Sequence, residues 1–354
     1  MNQSVLCVAV FAPKPISFAY NSLIMVDLSR IQRRTFIRKT SLGLTIIGAY
    51  GLTVLGGCKG KTEETEEMEK TGHTGSVYTG ELKISLAQWS HNKEFNSGVL
   101  DPLNFAIVAR GYGLDAIEYV SSFYKDKAED KAYLDELNLR AGNNGVKQLL
   151  IMVDGEGELA TPEDAARIKA VENHYKWVEA AKHLGCHSIR VNVFGSGTTD
   201  EVQLAAVDGL GRLGEFAKDY NVNVIVENHG GYSSHGGWLS GVMRQVNKPN
   251  VGTLPDFGNF CLRREGGAQW EATCVDEYDR YLGVEQLMPY AKAVSAKSYD
   301  FDQFGTEKTI NYERMIGIVK AANYSGYIGI EYEGSRLPPE EGILATKKLL
   351  ERYI

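Results

Sequence analysis

The sequence predicts an α/β chain closed into a (β/α)8 barrel. From residue 82 onward, short β-rich runs alternate eight times with longer stretches of helical period, the pattern of repeated βα units. No Gly-rich nucleotide fingerprint follows the first run, which removes the open doubly wound sheet as the competitor. Residues 81–354 also suit such a barrel in size, since about 250 residues routinely form one such domain. A chain that is 43% hydrophobic can fill its core.

In order, the predicted strands are Leu82–Trp89, Asp115–Val120, Lys147–Val153, Ser188–Phe194, Val222–Glu227, Val251–Asp256, Ala291–Lys297 and Tyr327–Glu331. Each is a short apolar run of the kind a sheet buried on both faces requires. The predicted helices are Pro102–Ala109, Asp130–Ala141, Pro162–Leu184, Glu201–Tyr220, Leu239–Val246, Tyr278–Tyr290, Asn311–Ala322 and Glu340–Tyr353. Two of them carry clear start signals, Asp101 before Pro102 and Thr161 with Pro162 and Glu163.

The amino end stands apart from this body. Arg33-Arg34-Thr35-Phe36-Ile37-Arg38-Lys39 precedes an apolar stretch from Leu42 to Leu55 and then Leu55-Gly56-Gly57-Cys58. A charged region, a short apolar run and small residues before a cysteine resemble a twin-arginine export signal ending in a lipobox. Residues 1–57 are therefore read as the signal segment and Cys58 as the lipidated first residue of an extracytoplasmic lipoprotein, periplasmic or on the outer membrane. The apolar run is shorter than the roughly 20 residues a spanning helix needs. Residues 58–80, rich in Glu with little to bury, are read as an acidic flexible tether. Contact with the membrane is expected only through the lipid.

A formal net charge of −7 provides no basic stripe for a polyanion, which argues against nucleic acid as a partner. Cys186, Cys261 and Cys274 show no metal-type spacing. A Cys261–Cys274 disulfide is open to a protein outside the cytoplasm, but the expectation is unpaired thiols.

In a barrel of this kind function sits where the strands end. The residues placed there are Gln88, Trp89 and His91; Glu118; Asp154 and Glu156; Arg190, Asn192 and Phe194; Glu227, Asn228 and His229; Asp256 and Asn259; Ser295, Lys297, Tyr299 and Asp300; and Glu331, Glu333 and Arg336. So many acids on one rim repel one another unless protons or a cation neutralise them. Several of these residues also have plain structural readings. Glu118 serves either acid–base chemistry or an ion pair with Arg190, and Asp154 in Val-Asp-Gly-Glu-Gly reads as a turn residue. One of Glu331 and Glu333 is expected to face the helical shell as an ordinary acid. His174, His183 and His187 are read as structural.

The strand ends Ile225-Val-Glu227-Asn-His, Leu254-Pro-Asp256-Phe-Gly-Asn, Val294-Ser-Ala-Lys297 and Ile328-Gly-Ile-Glu331-Tyr-Glu resemble those of the xylose-isomerase-like TIM-barrel superfamily, which includes sugar isomerases, ketose 3-epimerases and inosose dehydratases. The resemblance spans the whole body. It implies a divalent metal held by Glu227, Asp256 and Glu331. Lys297 matches that superfamily's strand-seven lysine and is a catalytic candidate; His229 and Glu118 join it from their places at the strand ends, where Trp89, Arg190, Asn192, Asn259 and Glu333 are read as binding substrate. One departure stands out: that superfamily places a histidine ligand two residues before the lysine, where this chain has Ser295. His229 or water is then expected to complete the site. Oxygen-rich ligation suits Mn2+, Mg2+ or Co2+, with Zn2+ as a further option.

Such a site supports removal of a proton next to a sugar carbonyl, and the fate of that proton decides between isomerisation, epimerisation and elimination. The expected substrate is an unphosphorylated sugar or keto-sugar, because no phosphate-cradling loop or Arg cluster is evident. A lyase acting on a 3-keto-glycoside is the first alternative, and a sugar-binding lipoprotein without chemistry is the second.

Overall fold

The computed structural model describes residues 78–354. The signal segment, Cys58 and the tether up to residue 77 lie outside the described residues. Eight parallel strands form one curled sheet: β1 (Leu82–Ala87), β2 (Ala116–Val120), β3 (Lys147–Met152), β4 (Ser188–Val191), β5 (Asn223–Glu227), β6 (Val251–Leu254), β9 (Val294–Ser298) and β10 (Gly326–Tyr332). Between β6 and β9 the chain inserts an antiparallel ribbon, β7 (Cys261–Arg264) with β8 (Cys274–Glu277).

The sheet runs β6-β5-β4-β3-β2-β1-β10-β9. Its two end strands meet through parallel bridges, Thr253 to Ala291 and Asp256 to Ser295. Across this seam Lys292 N donates to Thr253 O at 3.0 Å, Ser295 N to Pro255 O at 2.9 Å and Phe257 N to Ser295 O at 3.1 Å. Pro255 has no N–H to give, so the seam is sparser than the ladders between the other strands. The predicted (β/α)8 barrel is the fold observed.

Side chains alternate between two apolar layers because a strand has period two. Ala87, Val120, Leu150, Met152, Ile225, Leu254 and Ala293 form one cluster inside the barrel. Ile117, Ile151, Ile189, Val224, Val226, Val294, Ile328 and Ile330 belong to the larger cluster between strands and helices. The α-helices of the described residues are α1 (Asn92–Asn96), α2 (Phe105–Gly111), α3 (Lys131–Asn143), α4 (Asp164–Leu184), α5 (Thr199–Asp219), α6 (Gly236–Val246), α7 (Arg280–Leu287), α8 (Tyr312–Ala321) and α9 (Pro339–Leu350).

Local chemistry explains where helices begin. Thr198 and Glu201 form a reciprocal capping box before α5. The start of α4 lies two residues later than predicted, because the side chain of Glu163, not Thr161, accepts from Ala165 N and Ala166 N. The predicted helix from Tyr278 begins at Arg280, where Asp279 accepts from Leu282 N at 2.8 Å.

One expectation is overturned. Cys261 and Cys274 are joined in a disulfide with Cα atoms 5.8 Å apart, and Cys186 alone is a buried free thiol among the described residues. A sequence separation of 13 says little by itself, but the ribbon folds the chain back so that Cys274 stands opposite Arg264 and beside Cys261.

Candidate metal centre and sugar pocket

Three acids converge at the carboxyl ends of β5, β6 and β10. Carboxylate oxygens of Glu227, Asp256 and Glu331 all lie within 4.8 Å of one another, and all three residues are buried. Each is tied down by its neighbours. Asn259 Nδ2 donates to Glu227 Oε1 at 3.0 Å, while Asp256 Oδ1 accepts from the backbone of Gly258 and Asn259 at 2.9 and 2.8 Å. Asn228 braces the next turn, accepting from Asp256 N and donating to Asp256 O.

Ser295 stands where the resemblance implied a histidine, and its hydroxyl touches two acids at once. Its Oγ lies 2.6 Å from Asp256 Oδ2 and 2.9 Å from Glu331 Oε2. A hydroxyl has one proton, so it can donate to one of these oxygens while its lone pair faces the other. Two ionised acids across one hydroxyl call for a proton or a cation between them. Burial pushes the Glu227 carboxyl well above its ordinary range despite Arg190, and raises Asp256 to about 6 against the pull of Lys297. A buried all-oxygen set in which Glu227 and Asp256 resist ionisation fits a hard divalent cation, which would supply the missing positive charge.

Two cations are already in place. Lys297 Nζ contacts Glu331 Oε1 at 3.0 Å and Glu333 Oε2 at 3.3 Å. Burial works against its charge, but Glu331, Glu333 and Asp256 prevail and hold its pKa well above the ordinary lysine value. Its stem fits because position 258 is glycine: a Cβ there would come within 2.6 Å of Lys297 Cγ. Arg190 Nη1 donates to Asp154 Oδ1 at 2.7 Å, and its Nε lies 2.9 Å from Glu227 Oε2. The second contact lacks hydrogen-bond geometry, so both atoms remain without a hydrogen bond among the described residues.

Above the acids opens a cavity of about 740 Å³ lined by Trp89, Asp154, Arg190, Asn192, His229, Asn259, Trp270, Tyr299, Glu331 and Glu333, among others. The structure thus brings together every predicted substrate-binding residue. Both Glu331 and Glu333 serve the site, and the expectation that one turns to the helical shell is corrected: residues two apart on a strand share a face. Glu333 also accepts from Trp89 Nε1. His229 sits at the wall with Nδ1 2.8 Å from Asn192 Oδ1 and its ring 4.7 Å from that of Trp270. Burial, helped by Arg190, drives its pKa down to about 3. His229 therefore stands beside the acid cluster as a neutral imidazole and is not among the three residues that could hold a metal ion.

Glu118 lies elsewhere. It is fully buried, accepts from Ser85 Oγ at 2.6 Å and does not line the cavity. Its carboxylate occupies the space left by Gly329, where a Cβ would meet Glu118 Oε1 at 2.5 Å. Burial raises it to about 7, with Ser85 and Arg190 opposing and Glu331 assisting.

Two features were not foreseen. Asp154 is no mere turn residue, since it accepts from both Arg190 and Asn192 at 2.7 Å. Trp270 arrives on the disulfide-closed ribbon and packs over His229 and Phe194. The predicted structural histidines hold as such: His174 Nδ1 pairs with Ala170 O, His183 with Asp135 and His187 with Ser188, all away from the cavity.

Comparison with known proteins agrees with this fold. No curated protein matches the chain in sequence. Among solved structures, an IolI protein with a bound zinc atom superposes with a TM-score of 0.59 at 15% identity, covering 77% of this chain and 99% of its own. The 3-keto-D-glucoside 4-epimerase YcjR from E. coli gives 0.57 at 12%, with the same coverage. A D-psicose 3-epimerase from Clostridium cellulolyticum H10, solved with D-tagatose, gives 0.60 at 12%, again covering 77% and 99%. A family profile described as Xylose isomerase-like TIM barrel matches residues 107–353, and this chain belongs to that family.

Proposed function

We propose that the protein is a divalent-metal-dependent sugar isomerase or epimerase-type enzyme that removes a proton from the carbon beside the carbonyl of an unphosphorylated sugar or keto-sugar. The observation that carries this reading is the buried Glu227–Asp256–Glu331 triad, with a protonated lysine paired to Glu331 and Glu333, beneath a cavity lined by a neutral histidine. Glu227, Asp256 and Glu331 would hold the divalent ion, which would supply Lewis-acid stabilisation of negative charge on substrate oxygen.

The chain's own groups divide the remaining work. Lys297, kept charged, offers N–H to a substrate oxygen and is a poor base. His229 has an Nε2 without a hydrogen bond among the described residues and is the better proton acceptor. Trp89, stacked on Phe123, and Trp270 give the cavity apolar walls for sugar faces. An unphosphorylated substrate suits a wall whose arginines are engaged, Arg190 by Asp154 and Glu227 and Arg264 by Ala272 O. The relation to a 3-keto-glucoside epimerase favours one further reading, β-elimination from a 3-keto-glycoside after the same first step. The export signal, the lipid on Cys58 and an extracytoplasmic address belong to this proposal, supported by a Cys261–Cys274 disulfide of the kind that persists in oxidising compartments.

Incubation in deuterated water with a panel of ketoses and 3-keto-glycosides tests the reading. Carbon-bound deuterium is expected in recovered sugar, lost on chelation and reduced about 10²–10⁴-fold in Lys297→Met or His229→Gln. Product identity separates epimerisation, isomerisation and elimination. Absence of exchange by the wild type with every sugar would leave a binding protein.

A further inference from the structure

Three consecutive strand exits place Asp154, Asn192 and His229 in one hydrogen-bonded row. We propose that Asp154 is a positioning residue that acts through Asn192 to hold His229 with its proton on Nδ1 and a bare Nε2 at the cavity.

The direction of each bond follows from what each group can donate. Asp154 Oδ1 also accepts from Arg190 Nη1 at 2.7 Å, and an ionised carboxylate has no proton to give. The Asn192 atom facing it at 2.7 Å is therefore the amide nitrogen. That choice turns the amide oxygen towards His229 Nδ1, 2.8 Å away. An amide oxygen only accepts, so Nδ1 carries the hydrogen. In an uncharged ring the lone pair then sits on Nε2, which makes no hydrogen bond within the described residues. The neighbouring Trp270 ring packs against the imidazole with its centroid 4.7 Å away. Without the carboxylate, Asn192 could turn over, donate to Nδ1 and move the proton to Nε2, the wrong place for a base.

The catalytic consequence rests on the proton-transfer reading above, but the tautomer does not, and the test separates them. The full chain, labelled with 15N-histidine and treated with a chelator, is studied by long-range 1H–15N correlation, with His229→Gln identifying the signal. Wild type is expected to show a protonated Nδ1 and an unprotonated Nε2. Asp154→Asn is expected to bring up the Nε2-protonated form and, with an active sugar, to cut deuterium exchange by about 10²-fold or more. In the reciprocal Asp154→Asn, Asn192→Asp double variant, residue 192 can only accept. The Nδ1–H tautomer is expected to return, which a loss of packing alone would not produce.

A wild-type spectrum with the proton on Nε2 or on both nitrogens overturns the proposal, and needs no variant to fold. An Asp154→Asn spectrum identical to wild type also overturns it. If wild type shows the expected tautomer yet exchanges no sugar, the positioning inference stands and the enzymatic reading fails.

Discussion

Replacing Glu118 by Gln separates a buried neutral acid from a catalytic one. The carboxyl is fully buried, one oxygen is served by Ser85, and the other has no hydrogen-bond partner among the described residues. Its pKa rises from 4.5 to about 7. A raised acid contributes stability that is fully present below the unfolded value and is lost as pH climbs through the folded one. At about 1.4 kcal/mol per pH unit, the wild type loses about 3 kcal/mol between pH 4.5 and pH 8 that Glu118→Gln does not lose. Gln adds a constant offset of about 1–3 kcal/mol from its unpartnered buried amide. The informative quantity is therefore the change in the difference with pH. Urea unfolding of both chelated proteins at pH 4.5, 6 and 8 measures it. Parallel stability curves would refute the burial argument, and a large loss of deuterium exchange in a well-folded Glu118→Gln would return Glu118 to the mechanism.

Removing one carboxylate from the triad, by Glu227→Ala, Asp256→Ala or Glu331→Ala, is expected to lower bound divalent ion sharply, as read by elemental analysis of protein with unchanged circular dichroism. Undiminished metal in all three would refute the ligand set. The Cys261→Ser, Cys274→Ser double variant should free the ribbon without unfolding the barrel, seen as faster proteolysis between residues 261 and 277 and altered tryptophan emission from Trp270. The free-chain entropy of a loop this short makes the crosslink worth about 3 kcal/mol, to be spent locally. Cys58→Ala is expected to abolish labelling by a fatty-acid probe, and unchanged labelling would refute the lipoprotein reading.

The barrel was legible because each strand is an apolar run bounded by polar turns, and its register places Glu227, Asp256, Lys297 and Glu331 where strands end. Strand ends were drawn long at Trp89, Phe194 and Asp256, since the chain turns outward there to build the cavity and local apolarity does not reveal the turn. The ribbon was not legible. Its residues, among them Arg263, Arg264, Gly266 and Gly267, show no alternation, and its pairing depends on a crosslink that spacing does not specify. Asp154 was placed on the rim but read as a turn residue for another reason. Its sequence neighbourhood is that of a turn, and its partners Arg190 and Asn192 lie 36 and 38 residues away.

The seam between β6 and β9 has a consequence for how the molecule breathes. Asp256 sits on one lip and Ser295 on the other, joined by a side-chain contact and a few main-chain bonds around a proline. A cylinder yields first along its least-stitched line, so the fluctuations that part these lips are those that widen the acid cluster. Amide protons of Lys292, Ser295 and Phe257 should exchange with solvent sooner than those of the neighbouring ladders. Whatever bridges Asp256 and Glu331 would slow them, making the seam a reporter of occupancy that needs no knowledge of the substrate.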